Sequence, residues 1–210
     1  MGLTALGWMA GCAPPVRREA LRRFEFQRAE MGMPVRMVIY ARTHLEAADA
    51  ALTAFDRIRT LNGVFSDYEE DSELSRLSLT CGRGRAVPVS PDLWEVLDRA
   101  QKLAEDSDGA FDVTVGPYVN LWRRARRERE LPKPALLARA REAVGFRQVT
   151  LDSRRRTARL EVPGMRLDLG GIAKGYALDE ALDVLRKRRL PAAFIACGGD
   201  LRAGDPPPGK

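Results

Sequence analysis

The sequence is poor in the residues that build disulfide scaffolds and zinc sites. Its 210 residues include one histidine and three cysteines, at positions 12, 81 and 197. These cysteines are too few to hold a small secreted fold together, and their spacing is unlike that of a zinc site. Both protein classes are therefore excluded. Whether Cys81 and Cys197 approach closely enough to pair is not determined by the sequence.

Long apolar runs and repeats are also missing. After Cys12, no stretch approaches the roughly 20 apolar residues that a membrane-spanning helix requires. No block recurs at a fixed period. Of all residues, 45% are hydrophobic and 30% are charged, which is ordinary for a globular domain with a sizeable core. The body of the chain is therefore predicted to be an ordered, soluble domain.

The net charge of +6 is concentrated in one short segment. Five arginines lie there, at positions 123, 124, 126, 127 and 129. No aromatic residue interleaves with them, as a stacking platform for nucleic acid would require, so a nucleic-acid binder is disfavoured. The preferred interpretation is a solvated helix end or loop. An anionic cofactor or an acidic membrane surface would benefit from the same charge.

The first 23 residues differ in character from the rest. A short apolar stretch, Leu3 to Gly11, ends at Met9-Ala10-Gly11-Cys12, which is similar to the lipobox of bacterial lipoproteins. A tether rich in proline and arginine follows. We therefore expect residues 1–23 to be a signal-like segment and tether, with a lipid on Cys12 that anchors the protein to a membrane of the cell envelope, outside the cytoplasm. The alternative is an apolar N-terminus in which Cys12 has no role.

Strand and helix patterns alternate along residues 24–210. Thr43 and Glu46 form a capping box for a first helix, and Ser90 caps a second one. Predicted strands are Pro34–Ala41, Val149–Leu151, Thr157–Val162, Met165–Leu169 and Ala192–Cys197. The first helix is predicted to end at Asn62-Gly63, a third, shorter helix lies between Pro134 and Gly145, and a last one runs from about Ile172 to Arg188. The fold class is α+β, a single mixed domain with no internal linker.

The segment Leu167–Ala177 combines an acid, two glycines and a lysine at a predicted strand-to-helix turn. Asp168 ends the strand, and Gly170 and Gly171 allow a ligand to approach the backbone. The helix start that follows favours an anion, and Lys174 adds a point charge for a phosphate. The spacing matches neither a Walker A loop nor a G-x-G-x-x-G fingerprint. A glycine-permitted turn with a solvated lysine explains this stretch equally well.

A second candidate segment is Asp108–Pro117. Phe111 stands in a turn-rich stretch where it could flank a planar ring, and Asp112 could accept hydrogen bonds from a ligand. Judged alone, the segment is better explained by a core phenylalanine and a capping aspartate.

Together, these segments resemble the ApbE family of flavin transferases. The matching motifs follow one another in family order over about residues 24–203. They are Met31-Gly32, which is expected to open the first strand, FSDYEEDSELSRLS from Phe65, DGAFDVTVGPYVNLW from Asp108, LDLGGIAKGYALD from Leu167 and CGGDLRA from Cys197. Five matches in order are highly specific.

The resemblance implies a fold related to the T-fold and a magnesium-dependent activity. In that family, the FMN half of FAD is transferred to a Thr or Ser hydroxyl of a target protein, and AMP leaves. Carried over position by position, the FAD contacts are Met31, Tyr68, Ala110, Phe111, Asp112, Asp168 and Lys174. Gly171 would offer its backbone carbonyl to Mg²⁺. Neither the resemblance nor the pattern identifies a general base, and the lone His44 is interpreted as a surface residue.

Family members carry a further C-terminal portion with an Asp and a Thr that complete the metal site. Since this chain stops at Lys210, we expect a domain truncated at its C-terminus, with little or no transfer by the 210 residues alone. Three alternatives stay open beside the transferase. They are an FAD pyrophosphatase that gives FMN and AMP, a flavin-binding lipoprotein without catalysis, and, least favoured, a basic nucleic-acid binder.

Overall fold

Two antiparallel sheets and six helices make up the fold in the computed structural model, which describes residues 20–207. The strands are β1 (Arg22–Glu30), β2 (Met33–Ala41), β3 (Val87–Pro88), β4 (Val149–Asp152), β5 (Thr157–Leu160), β6 (Ala193–Cys197) and β7 (Asp200–Ala203). The helices are α1 (His44–Phe65), α2 (Glu73–Ser78), α3 (Pro91–Asp106), α4 (Gly116–Glu128), α5 (Pro134–Glu142) and α6 (Ala173–Lys187). The mixed α+β class is confirmed. The lipobox-like segment and Cys12 lie outside the described residues.

The larger sheet has the strand order β1-β2-β6-β7 and carries helices α1 and α6 against it. The inner strand β2 buries Val35, Met37 and Ile39 completely. The sequence patterns do not predict the edge strand β1. Its positions alternate between half-buried and exposed, and Phe24 pairs with Ile39 of β2. Its buried face therefore extends the core. Within residues 20–207, no helix is long and apolar enough to cross a bilayer.

The smaller sheet has the order β3-β5-β4. Strands β4 and β5, predicted at Val149–Leu151 and Thr157–Val162, pair as an antiparallel hairpin with Val149 opposite Leu160. The strands predicted at Pro34–Ala41 and Ala192–Cys197 also agree with the structure to within one residue.

Helix α1 begins as its capping signal predicts. The Thr43 hydroxyl accepts a hydrogen bond from the Glu46 amide at 3.1 Å, and the Glu46 carboxylate accepts one from the Arg42 amide at 3.0 Å. The predicted end at Gly63 is wrong, because that glycine keeps helical backbone and the helix continues to Phe65. The buried Phe65 ring packs edge-on against Tyr176, 5.6 Å between centroids, and this contact holds the last turn in place.

The strand predicted at Met165–Leu169 is wrong. Met165, Leu167 and Leu169 are buried as the alternation indicated, but only Arg166 forms a β-bridge, to Val115. The Asp168 amide also donates a hydrogen bond to the Val113 carbonyl at 2.8 Å. The segment is an extended connection that fills the core without a ladder of its own.

A charged network joins three helices away from the sheets. Arg57 of α1 donates hydrogen bonds to Asp92 of α3 at 2.5 and 2.8 Å and to Glu180 of α6 at 2.6 Å. The Tyr176 hydroxyl donates to the same Asp92 carboxylate at 2.9 Å. The Arg57 guanidinium lowers the pKa of Asp92 despite the partial burial of that carboxyl. Burial, together with Asp92, raises the pKa of Tyr176.

This network predicts a pH dependence of stability. Because the folded-state pKa of Asp92 is lowered, its contribution is present above the unfolded value of about 3.9 and is lost as pH falls through the folded value. We expect Arg57→Met to lower the free energy of unfolding at neutral pH by about 1–2 kcal/mol, since these side chains keep some solvent contact. Urea unfolding at a series of pH values measures the effect.

Arg59→Met is the matched control, since Arg59 pairs with the exposed Asp56 on the same helix. It should cost less than about 0.5 kcal/mol at any pH. The difference between wild type and Arg57→Met should shrink in strong acid. A constant difference from neutral to strongly acidic pH would contradict the assignment to Asp92.

Candidate functional site

A cavity of about 570 Å³ opens beside the larger sheet where several connections meet. Its walls come from the β1–β2 turn, the end of α1 with the loop after it, α4 and the start of α6. The lining residues are Met31, Gly32, Met33, Asn62, Phe65, Ser66, Asp67, Tyr68, Glu69, Arg123, Leu169, Gly170, Ala173 and Lys174. Three of the predicted flavin contacts, Met31, Tyr68 and Lys174, are among them.

The β1–β2 turn forms one wall. Met31 and Gly32 both have positive φ, 52° and 71°, the combination that a two-residue type I′ hairpin turn requires. A methionine rarely adopts this conformation, and the flanking nine-residue ladder holds it there. The Met31-Gly32 motif is therefore the turn of a hairpin and not the opening of the first strand.

The loop after α1 is held by its own hydroxyl and amide groups. The Ser66 hydroxyl accepts hydrogen bonds from the amides of Tyr68 and Glu69, at 3.3 and 3.2 Å. The Asn62 side chain donates to the Glu69 carboxylate at 2.7 Å. This turn leaves the Tyr68 side chain 75% exposed, with its ring available to a planar ligand.

Arg123 crosses the cavity from α4. Its guanidinium pairs with the Asp67 carboxylate, donates to Asp168 at 3.1 Å, and lies 4.1 Å from the centre of the Tyr68 ring. Partial burial is the largest single effect and opposes its charge, but the hydrogen bond to Asp67 and the nearby charges of Asp67 and Asp168 together outweigh it and raise the pKa of Arg123. The interpretation of the arginine run as solvated is thus wrong for Arg123, whereas the other four arginines are exposed.

Asp168 lies at the junction of these groups. One carboxylate oxygen accepts from the Gly170 amide at 2.8 Å, and the other accepts from Arg123. Its side chain is 10% exposed. A ligand that hydrogen-bonds to Asp168 must therefore share it with Arg123 or displace that guanidinium.

The start of α6 supplies positive charge to the cavity. No side chain caps this helix, and the Ala173 amide donates to the Leu169 carbonyl at 2.8 Å. The helix dipole and the amides of Lys174 and Gly175 can therefore face an anion. Gly170 and Gly171 before it are exposed. The Lys174 ammonium donates to the Gly170 carbonyl at 3.2 Å and lies 3.9 Å from the Asp200 carboxylate. The amine therefore sits where the helix begins.

The Ala110–Asp112 segment lies next to the cavity without lining it. A side chain at Gly171 would come within 3.1 Å of the Phe111 ring, so this ring packs directly on the glycine pair. The Asp112 carboxylate accepts bonds from the amide and hydroxyl of Thr114, each at 2.7 Å, and from the Phe146 amide at 2.9 Å. Ala110 is exposed. The flavin contacts assigned to this segment stay a prediction.

Within residues 20–207, no cluster of three or more His, Cys, Asp or Glu side chains could hold a metal ion. Mg²⁺ prefers near-octahedral oxygen coordination by one or two carboxylates. The carboxylates of Asp67 and Asp168 already bind Arg123. The described residues alone therefore do not fit a Mg²⁺ site, and the role of the Gly171 carbonyl stays a prediction.

Sequence reasoning missed two residues of the site, Asp67 and Arg123. Asp67 lies inside a recognised motif, but only the neighbouring Tyr68 was assigned. A helical signal for Arg123 was present, because Gly116, Asn120 and Arg123 recur at spacings of four and three. That spacing puts Arg123 on the face of α4 that packs inward, unlike Arg124 and Arg126.

Comparisons with known proteins show which family this chain belongs to. The sequence model of the ApbE family matches residues 31–210. The FAD:protein FMN transferase of Haemophilus influenzae is 35% identical over 150 residues, which are 70% of this chain and 43% of the relative. The enzyme of the same name from Treponema pallidum is 33% identical over 187 residues, 85% of this chain and 51% of the relative. The chain thus spans about half the length of these relatives.

Two solved structures share the fold. A mutant of the flavin transferase ApbE from Vibrio cholerae superimposes with a TM-score of 0.80 at 26% identity, covering 87% of this chain and 60% of that one. The ApbE protein of Thermotoga maritima gives a TM-score of 0.77 at 27% identity, with 87% and 59% covered.

Proposed function

The chain belongs to the ApbE family, and from this membership we propose that it binds FAD in the cavity beside Lys174 and transfers the FMN half to another protein. The acceptor is a Thr or Ser hydroxyl, and AMP is the leaving group. We also propose that the protein acts outside the cytoplasm, anchored through a lipid on Cys12. The membrane-anchor proposal rests on the lipobox-like sequence alone.

One observation carries the proposal. A single cavity combines an exposed aromatic ring, Tyr68, with a helix start that bears a lysine, Lys174. FAD presents the complementary groups, two planar ring systems and a pyrophosphate with two negative charges. Stacking on an aromatic ring and charge-assisted hydrogen bonds to phosphate are the favourable contacts for these groups.

Each residue in or beside the cavity has a role that follows from its chemistry. Tyr68 gives a face for one ring of the dinucleotide. Lys174 and the amides at the start of α6 stabilise the negative charge that develops on the phosphates during transfer. Asp168 accepts hydrogen bonds from ring N–H groups. Phe111, packed on Gly171, supports the glycine pair beneath the phosphates.

The proposed transfer balances as a substitution at phosphorus. The acceptor oxygen forms a bond to the phosphorus of the FMN phosphate, and the bond from that phosphorus to the AMP oxygen breaks. The hydroxyl proton is released, and AMP leaves with the bridging oxygen. His44 does not line the cavity, since it lies at the start of α1 against Phe24 and Phe26, so it is not assigned as the base.

Product analysis tests this function directly. The protein is incubated with FAD and Mg²⁺, with and without an extract of its native host cells as the source of acceptor. From a chain that includes the C-terminal portion of the family we expect a protein band with covalent flavin fluorescence and one AMP released for each flavin attached, and from residues 1–210 alone little or none. FMN and AMP free in solution, without a labelled protein, would show a pyrophosphatase. FAD bound without turnover would show a binding protein and overturn the transferase proposal.

A further inference from the structure

The hairpin of helices α4 and α5 holds most of the net charge of the protein. Residues 116–142 contain eight Arg or Lys side chains and three Glu, a net charge of +5, against +6 for the whole chain. Apart from Arg123, these cations are exposed. The charge is therefore localised on one structural unit and is not spread over the surface.

This hairpin is held to the body of the fold at α4, through Gly116 beside Arg166 and through Arg123, which binds Asp168. Helices α4 and α5 pack mainly against each other and only slightly against the other helices and strands. Apart from the buried Gly116 and Ala140, every residue of the two helices is exposed or half-exposed. A unit with so little packing and so much charge contributes little to the core, which points to a role at the surface.

Six of its cations have no acidic partner among residues 20–207, namely Arg126, Arg127, Arg129, Lys133, Arg139 and Arg141. Arg124 is different, because it pairs with Glu128 at 2.9 Å. Unpaired arginines on one hairpin repel one another, and an external anion would relieve that repulsion.

A groove lined by apolar and charged residues lies beside these cations. It has a volume of about 430 Å³ and runs between the end of α4 and the start of α5. Leu131 and Leu136 line it and are 77% and 40% exposed, and its charged lining residues are Arg124, Glu128, Glu130 and Lys133. On α4, Trp122 is 51% exposed. Exposed leucines and a tryptophan next to arginines are the composition of a helix that lies in a membrane interface.

We infer that the α4–α5 hairpin binds the surface of a bilayer that contains anionic phospholipid. The arginines contact the phosphate headgroups, and Leu131, Leu136 and Trp122 enter the boundary between headgroups and acyl chains. Nucleic acid fits less well, because phosphate binding gives no role to the leucine-lined groove. This inference is independent of flavin transfer and of any lipid on Cys12.

Vesicle co-sedimentation tests the inference. The protein should bind vesicles of phosphatidylcholine that contain phosphatidylglycerol, and not vesicles of phosphatidylcholine alone. Arg126→Glu with Arg127→Glu should weaken this binding by about thirtyfold or more. Leu131→Asn with Leu136→Asn keeps the charge and should also weaken it, by about tenfold.

The matched control is Arg154→Glu with Arg155→Glu, on the exposed β4–β5 turn. It changes the net charge by the same amount and should leave binding within about twofold of wild type. Equal losses from both double variants would show that net charge alone acts and would overturn the inference. Failure to bind the phosphatidylglycerol vesicles, or unchanged binding by the leucine variant, would also overturn it. Retention on duplex DNA without vesicle binding would assign the hairpin to nucleic acid instead.

Discussion

Replacing Lys174 and Asp168 together by alanine should weaken FAD binding by about a hundredfold or more. Lys174 places its ammonium at the start of α6, where the pyrophosphate is proposed to lie. Asp168 does not line the cavity itself, but its carboxylate binds Gly170 and Arg123, which do. Losing one charge-assisted contact costs about 1.5–3 kcal/mol of binding free energy. Losing both therefore raises the dissociation constant by about a hundredfold or more. Calorimetric titration with FAD measures the change.

Lys187→Ala is the matched control for this prediction. Lys187 ends the same helix and is exposed, about 20 Å from Lys174 along the axis. It should leave FAD affinity unaltered. Because Asp168 also binds the Gly170 amide, thermal unfolding of the double variant must be compared with that of Lys174→Ala alone. Wild-type affinity in the folded double variant would disprove the proposed site.

Gly116→Ala should destabilise the protein by about 2–4 kcal/mol. An added Cβ would lie 2.4 Å from the Arg166 carbonyl oxygen and 2.8 Å from its carbon, both rigid backbone atoms. The β-bridge between Val115 and Arg166 must then open. That bridge fixes the start of α4 to the segment that carries Asp168. Urea unfolding measures the loss, and FAD affinity should fall with it.

Gly63→Ala is the corresponding control. Gly63 lies within α1, and a Cβ there would meet nothing within 4 Å. Replacement by alanine in an open helical position should stabilise the fold by about 0.5–1 kcal/mol. If both substitutions had the same effect, the close approach of Gly116 to Arg166 would not exist in solution.

Local signals in the sequence predict the helix starts well. The Thr43 and Glu46 capping box and the Ser90 cap both form the expected hydrogen bonds, since these contacts join residues at most four apart. Such short-range chemistry is nearly independent of the rest of the fold. Helix ends are less well determined. Gly63 permits a left-handed stop but does not impose one, and the packing of Phe65 extends α1 past it.

Strands are harder to predict because alternation reports burial and not pairing. Met165–Leu169 alternates as a strand would, and its apolar side chains are buried, but it has no neighbouring strand over most of its length. The opposite error occurs at β1. Arg23, Glu25 and Gln27 occupy exposed positions of β1 and alternate with Phe24 and Phe26. The mean hydropathy of this strand is therefore low, although it forms a nine-residue ladder.

The family motifs predict some of the residues that line the cavity, and the other residues are identified only by the fold. Met31, Tyr68 and Lys174 come from three segments far apart in sequence and line one cavity. The spacing from Gly116 indicates which face of α4 carries Arg123, but it does not indicate what that face contacts. The rotation of α4 in the fold places this face against Asp67 and Asp168. Contacts of this kind depend on tertiary geometry that no short motif contains.

The tight turn at Met31-Gly32 links the binding pocket to the register of the whole sheet. A two-residue connection permits one alignment of β1 with β2, in which Phe26 faces Met37. One inserted residue would move every side chain of β1 to the opposite face, expelling both phenylalanines to solvent and burying their charged neighbours. Two requirements therefore constrain the length of this turn, namely the shape of the pocket and the burial of the edge strand β1.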